Sequence, residues 1–303
     1  MTVIRLPLPP YPYRFDLLLD FARRIAHPAR LLVIGDTLWR FTAGQLLSYR
    51  QQDDAIVVSG ADLSAENEIP IAETSRHTLG LCRDLSAFYD MARADASLWS
   101  VIEPLVGLPI HCAETVFEAL VTLIIEQHIT WKTALRSQRC LMRLFGRTAS
   151  IGEVSVYDFP APAQLAKATR SALQPLKITN KRIDLIIETA TAIGRGDLAL
   201  ESIRDTQPTQ AYERLLEIKG VGPWTATNVV GRACGKYPFV SHNDVALQAA
   251  VRAYFHAGKG DKGAEQVRDA LERYGEYAGM AGHFVLLRWV LDNYPPASIE
   301  GGS

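Results

Sequence analysis

Two glycines and a proline fall within one tetrapeptide, Gly220-Val221-Gly222-Pro223, between the helical runs Thr209–Ile218 and Pro223–Cys234. No single regular element passes through such a segment. The glycines supply the backbone freedom for a tight reversal, and Pro223 stands where a first helical position is favoured. A helix, a short hairpin and a second helix are therefore expected here. The turn has two readings. It is a phosphate cradle, with outward N–H groups at the positive end of the second helix and Lys219 as a point charge, or it is a plain junction with a glycine cap and a proline starter.

The rest of the chain divides by periodicity. After a proline-rich aromatic lead, Leu6–Tyr13, the spacing predicts a helix over Phe15–Ala26. Short alternating runs follow at Leu31–Ile34, Leu38–Thr42, Gln45–Tyr49 and Ala55–Val58, separated by turn residues, and read as an antiparallel meander. Arg76–Arg83 is expected to add a further strand. Beyond that the pattern is helical: Val116–Gln127, Trp131–Phe145, Pro162–Ala168, Lys181–Ile193, the two helices of the hairpin, Val245–Phe255, Gly263–Tyr274 and Gly282–Asn293. With 303 residues, 48% of them hydrophobic, there is material for two cores. The fold class expected is α+β, with an N-terminal domain at 1–105 and an all-helical domain at 106–303.

Several classes of function are excluded. The apolar runs Leu120–Ile125 and Phe284–Leu287 are far too short to span a bilayer, and Met1–Arg5 does not begin a secretory leader, so a cytoplasmic protein is expected. Cys82, Cys112, Cys140 and Cys234 lack zinc-site spacing, and with no cysteine after Cys234 the C-terminal part cannot hold a four-cysteine iron–sulfur cluster. The seven histidines suggest neither a serine triad nor a two-histidine metal site. Total charge is close to balance, 32 basic against 33 acidic residues, so any case for nucleic acid rests on local charge. Trp131–Ser150 supplies it: Lys132, Arg136, Arg139, Arg143 and Arg147 recur at helical spacing with no acidic residue among them. That stripe faces phosphate or is a solvated helix face.

Downstream of the hairpin, Tyr237–Asn243 is extended and ends at Asp244, just before the helix Val245–Phe255. As an N-cap, Asp244 is ordinary. The same carboxylate, held ionised by the helix dipole, is also suited to stabilise a developing cation.

The hairpin, followed some twenty residues on by this aspartate, resembles the helix-hairpin-helix, Gly-Pro/Asp superfamily of DNA glycosylases. Pro9-Pro10-Tyr11, the meander, Phe117–Leu120 through Glu126–Thr130, Leu144-Phe145-Gly146 and Lys181-Arg182 resemble the bacterial 3-methyladenine DNA glycosylase II branch, and the 8-oxoguanine glycosylases share the architecture. The resemblance implies an N-terminal antiparallel sheet with a helix, like half of the TATA-binding protein, packed on a mostly helical glycosylase domain. It implies an enzyme that flips a damaged nucleotide out of duplex DNA and hydrolyses its N-glycosidic bond, with Asp244 as the catalytic carboxylate. Bifunctional relatives carry a lysine nucleophile two residues beyond the second glycine; here Trp224 stands there, which implies base release without strand cleavage.

The resemblance also assigns roles around that centre. Gln127, Trp224, Asn228 and Phe284 are expected in the base pocket, and His128 at the wedge that fills the gap in the duplex. Thr130, Lys132, Lys219, Gly220, Val221, Gly222 and Thr225 are expected against DNA. Main-chain carbonyls of Leu216, Ile218 and Val221 would hold a sodium or potassium ion, and no other cofactor is implied. The expected partner is double-stranded DNA carrying a damaged base, bound by a monomer. Asn228 and Gly279-Met280-Ala281-Gly282 replace two aromatic positions of the methyladenine branch. Alkylated purines are the favoured substrate; oxidised guanine, deaminated adenine, a catalytically silent DNA-binding module and an unrelated helical hydrolase are the rival readings.

Overall fold

The computed structural model describes residues 3–25, 31–256 and 263–294. Ala26, the expected end of the first helix, lies outside them.

Alternation builds the first sheet. Strands β1 (Val3–Pro7), β2 (Leu32–Ile34), β3 (Thr37–Thr42), β4 (Gln45–Gln52) and β5 (Ala55–Ser59) pair antiparallel in the order β1-β5-β4-β3-β2. The meander is as expected, and β1 is an addition. Ile4 and Leu6 point inward opposite Val58 and Ile56, while Val3 and Arg5 stay exposed, so the period of two starts before the proline-rich lead. Helix α1 (Phe15–Ile25) seats Phe15, Leu18 and Ala22 in the core that also holds Leu38, Leu47 and Tyr49.

No strand forms at Arg76–Arg83. Helix α2 (Glu68–Thr78) occupies the first part, burying Ile71, Ser75 and Thr78 at helical spacing, and the buried Tyr49 hydroxyl meets Ser75 Oγ at 3.0 Å and donates to Thr42 Oγ1. Gly80, at φ +70°, then turns the chain. Helices α3 (Ser86–Arg93) and α4 (Ala96–Ile102) follow, the latter capped by Asp95, which accepts from the Ser97 and Leu98 N–H groups.

Next comes α5 (Val116–Glu126), whose residues are buried almost throughout. Its first N–H groups, at Val116 and Phe117, are satisfied by the Glu201 carboxylate. Helix α6 (Trp131–Phe145) is capped by Thr130 and leads into a hairpin, β6 (Thr148–Ile151) and β7 (Val154–Tyr157). The 106–303 part is thus mostly, rather than wholly, helical. Ile151 and Val154 pair across Gly152-Glu153, and Gly152, at φ +57°, makes the turn.

Single turns α7 (Pro162–Leu165) and α8 (Arg170–Leu173) precede α9 (Asn180–Arg195), and then come α10 (Pro208–Leu216), α11 (Pro223–Cys234), α12 (Val245–Phe255), α13 (Ala264–Leu271) and α14 (Ala278–Asn293). Residues of α5, α9 and α11 share one core, including Ile124, Ile186 and Val230. A second core joins Phe88, Leu98 and Ile102 of α3 and α4 to Leu247, Leu271 and Val285 of α12 to α14. Truncating a fully buried member such as Ile124 to Ala costs about 2–5 kcal/mol. Among the described residues no helix is long and apolar enough to cross a membrane.

Candidate active site

The two halves of the hairpin are α10 and α11, and Gly220 between them takes φ +84°. A Cβ there would meet only the movable end of Leu185, so it is the conformation that calls for glycine. Gly222 is the N-cap of α11, leaving the N–H groups of its first turn without helical partners. Lys219 and Gly220 are exposed at the apex. Val221 and Thr225 turn their side chains inward instead, 6% and 2% exposed, so any contact these two make with DNA is through the backbone. The Ile218 carbonyl accepts the Val221 N–H at 3.0 Å. One of its lone pairs is thereby committed, and a second remains, as at the carbonyls of Leu216 and Val221.

Asp244 is the N-cap of α12. Its Oδ1 accepts the N–H groups of Ala246 and Leu247, each at 2.9 Å, and its Oδ2 accepts the Trp224 indole N–H at 2.7 Å. The cap and the indole therefore fix the plane of a half-buried carboxylate beside the hairpin. One turn further along α11, Asn228 donates from Nδ2 to the Trp224 carbonyl at 2.8 Å and to Ser241 Oγ at 3.4 Å, tying the helix to the segment that delivers Asp244. A cleft of about 510 Å³ opens on another side of Trp224, between Tyr212, Phe239 and His242; Asp244 is not part of its wall.

Phe284 is a correction. It is fully buried between Phe88 and Tyr89 in the second core, with ring centroids 5.1 and 6.0 Å away, and does not reach the cleft beside Trp224. The segment at Gly279 shows why no aromatic stands there. The last helix begins at Ala278, earlier than its apolar pattern indicates, and a Cβ on Gly279 would lie 2.2 Å from the Tyr237 carbonyl oxygen. Close backbone contact replaces a side chain.

The end of α5 meets the hairpin. Gln127 donates its amide to Thr225 Oγ1 at 3.0 Å and to the Gly220 carbonyl at 3.4 Å. His128 follows, exposed and left-handed at φ +53°, a conformation that lifts it out of the chain path between α5 and α6. Thr130 then accepts the Thr133 N–H at 3.4 Å to begin α6. On that helix Lys132, Arg136 and Arg143 are exposed, and among the described residues none pairs with an acid. Arg139 is half-buried; burial first, and then the neighbouring Arg143 and Arg136, lower its pKa. Arg147 does not extend the stripe. The helix stops at Phe145, and Arg147 pairs with Asp158 at 2.7 Å.

Further residues support the site, Arg182 of the Lys181-Arg182 pair among them. Arg182 donates to the carbonyls of Ile125 and Gln127, at 3.1 and 2.7 Å, closing the C-terminus of α5 under the His128 turn. Arg232 continues the stripe begun by Trp224 and Asn228 and pairs with Glu126 at 2.6 Å. His283 stacks on Tyr237 with centroids 4.0 Å apart; burial, helped by the nearby His111 and Arg232, lowers its pKa to about 3 and keeps it neutral. The spacing of four residues from Trp224 through Arg232 was the available signal.

No protein-family model matches the chain. A DNA-3-methyladenine glycosylase of Bacillus subtilis is 30% identical over 158 residues, which make up 52% of this chain and 52% of that protein. The match thus spans about half of the relative's length. Among solved structures, a 3-methyladenine DNA glycosylase from Archaeoglobus fulgidus has a TM-score of 0.78 at 22% identity, over 96% of this chain and 98% of that one. The 8-oxoguanine glycosylase/lyase of Clostridium acetobutylicum, in complex with double-stranded DNA, gives 0.72 at 16%, over 95% and 97%. The resemblance to the helix-hairpin-helix glycosylases holds in sequence and in fold.

Proposed function

We propose that this chain is a monofunctional DNA glycosylase of the 3-methyladenine type, hydrolysing the N-glycosidic bond of a damaged purine flipped out of the duplex. The observation that carries the reading is the Trp224–Asp244 hydrogen bond at 2.7 Å. It holds one carboxylate oxygen while the cap holds the other, so the negative charge needs no rearrangement when positive charge develops on the sugar. As the C1′–N9 bond breaks, its electron pair leaves with the base. Asp244 stabilises the oxocarbenium-like sugar, and water adds to C1′ with loss of a proton. Trp224 occupies the position of the lysine used by lyases, and Lys219 stands exposed at the apex before Gly220. No Schiff base is expected.

DNA is held along one surface in this reading. The hairpin N–H groups and Lys219 take a phosphate on one flank, and Thr130, Lys132, Arg136 and Arg143 take the backbone on the other. His128, projecting between them, is the wedge. A monovalent cation on the carbonyls of Leu216, Ile218 and Val221 would reinforce the hairpin's hold on phosphate, and the available lone pairs fit that role. The protein acts as a monomer on duplex DNA with a damaged base. Release of soluble methylated base from N-methylated DNA, measured for the native protein and for Asp244→Asn, tests the assignment. The native protein is expected to release base and the variant is not.

A further inference from the structure

Helix α5 carries the hairpin contact and His128 at its C-terminal end. At its other end, about 16 Å away for a helix of this length, Phe117 and Glu118 form part of the wall of a separate cavity of about 190 Å³. Strand β3 supplies another part of that wall. Its alternation puts Arg40 on the buried face between Leu38 and Thr42, and Arg40 is only 4% exposed, a position where an apolar residue is the ordinary choice. The Arg40 Nε–H donates to the Phe41 carbonyl at 3.2 Å, and Nη2 lies 3.9 Å from Glu114 Oε2, a charge contact too long for a hydrogen bond. Among the described residues neither Nη group of Arg40 makes a hydrogen bond. Buried guanidinium donors need acceptors, and the cavity is where these find them. Glu114, also in the wall, offers the complement. Its Oε1 accepts the Ala43 N–H at 2.9 Å, and among the described residues no donor reaches its Oε2 within hydrogen-bond distance. Phe41, Tyr157 and Phe159 add aromatic faces to that of Phe117.

We propose that this cavity is a second ligand site, which binds a free purine base through an edge bearing a carbonyl beside a ring N–H, the carbonyl on Arg40 and the N–H on Glu114. The site is separate from Asp244 and does not depend on the glycosylase reading. Its size excludes much else: pockets for drug-sized ligands run to about 300–1,000 Å³, and this one suits a single bicyclic ring. Its charges narrow the choice further. An inorganic anion would meet Arg40 but be repelled by Glu114, Glu118 and Asp158, which share the wall. An amino-acid zwitterion would match Arg40 and Glu114 in sign, at the cost of desolvating two further charges. A neutral base with an acceptor next to a donor satisfies both groups and brings no charge of its own. Arginine donors on a purine carbonyl are a common pairing, and the aromatic walls take the flat ring.

The test is calorimetric titration of free hypoxanthine, without DNA, into the native protein, Glu114→Gln, Ala161→Trp and Trp224→Ala. Glu114→Gln keeps an acceptor for the Ala43 N–H and turns an amide donor toward the base, and it is expected to weaken binding about 10-fold or more, the scale of one hydrogen bond to a charged group. Ala161 is an exposed part of the cavity wall, so tryptophan there obstructs the cavity while leaving Arg40 and Glu114 in place, and it is expected to abolish binding. Trp224→Ala, which strips the aromatic face beside Asp244, should still bind the base. Base release from N-methylated DNA is expected to be unchanged in Glu114→Gln and Ala161→Trp, which also shows that both are folded. Native protein that takes up no hypoxanthine would overturn the proposal. So would binding lost in Trp224→Ala but kept in both cavity variants, which puts the base beside Asp244 and leaves the glycosylase reading standing. Binding of glycine or inorganic phosphate in place of hypoxanthine would overturn the purine assignment. Absence of base release from DNA by a native protein that binds hypoxanthine in this cavity would remove the glycosylase reading alone.

Discussion

Trp224 and Asp244 come from elements twenty residues apart and share a hydrogen bond of 2.7 Å, in which the indole N–H points at the carboxylate oxygen that the helix cap leaves over. The capping and chemical roles of Asp244 can therefore be separated. Asparagine is as good a cap as aspartate, whereas alanine is not. Asp244→Asn keeps an oxygen for the cap but turns an amide donor toward the indole N–H, so it should lose about 1 kcal/mol in urea unfolding, and Asp244→Ala, which gives up the cap as well, about 1 kcal/mol more.

Arg182 supports the turn that presents His128, through the carbonyls of Ile125 and Gln127. Arg182→Ala should cost about 1–3 kcal/mol, because two C-terminal carbonyls of α5 lose a charged donor. Amide hydrogen exchange should accelerate locally at residues 127–130, and uniform exchange across α5 and α11 would contradict the account.

The exposed cations of α6 predict a salt signature. Replacing Lys132, Arg136 and Arg143 by alanine should reduce the slope of log K against log salt for duplex binding by about 0.9 for each phosphate no longer neutralised. Arg147→Ala should leave the slope unchanged, since that guanidinium is engaged with Asp158. A triple variant with the native slope would show that the stripe is only a solvated face.

Much of this site is legible in the sequence, and what is not has a physical cause. The Gly-Val-Gly-Pro turn and the cap position of Asp244 are local, set by backbone conformation and short-range hydrogen bonds. The misread segments depend on distant partners. Arg76–Arg83 carries little helical contrast by itself, and its helix is fixed by the burial of Ser75 and Thr78, the Ser75 hydroxyl meeting that of Tyr49. Phe284 is placed by Phe88 and Tyr89, nearly two hundred residues away in sequence. Arg232 looks like one more helical arginine until Glu126 is brought beside it.

His283 provides a stability probe. Its folded-state pKa, about 3, lies below the ordinary histidine value of 6.5, so between these limits the unfolded chain binds more protons. Its contribution is complete above about pH 6.5 and is lost as pH falls toward 3. His77, lowered by burial and by Arg204 and Arg83 to about 4, acts in the same direction. His283→Gln should therefore flatten the fall in Tm between pH 6.5 and 4 relative to the native protein. Parallel curves would mean that the imidazole is solvated when folded.

The most direct test of the central claim is a single-turnover assay on end-labelled duplexes carrying one 3-methyladenine, 7-methylguanine, hypoxanthine or 8-oxoguanine, scored with and without alkali. A hydrolytic glycosylase built on Trp224 and Asp244 should give breaks only after alkali, and Asp244→Asn should abolish them while still binding the duplex. Strand breaks without alkali would show lyase chemistry and contradict the role given to Trp224, and tight binding by the native protein with no base released from any lesion would contradict catalysis itself.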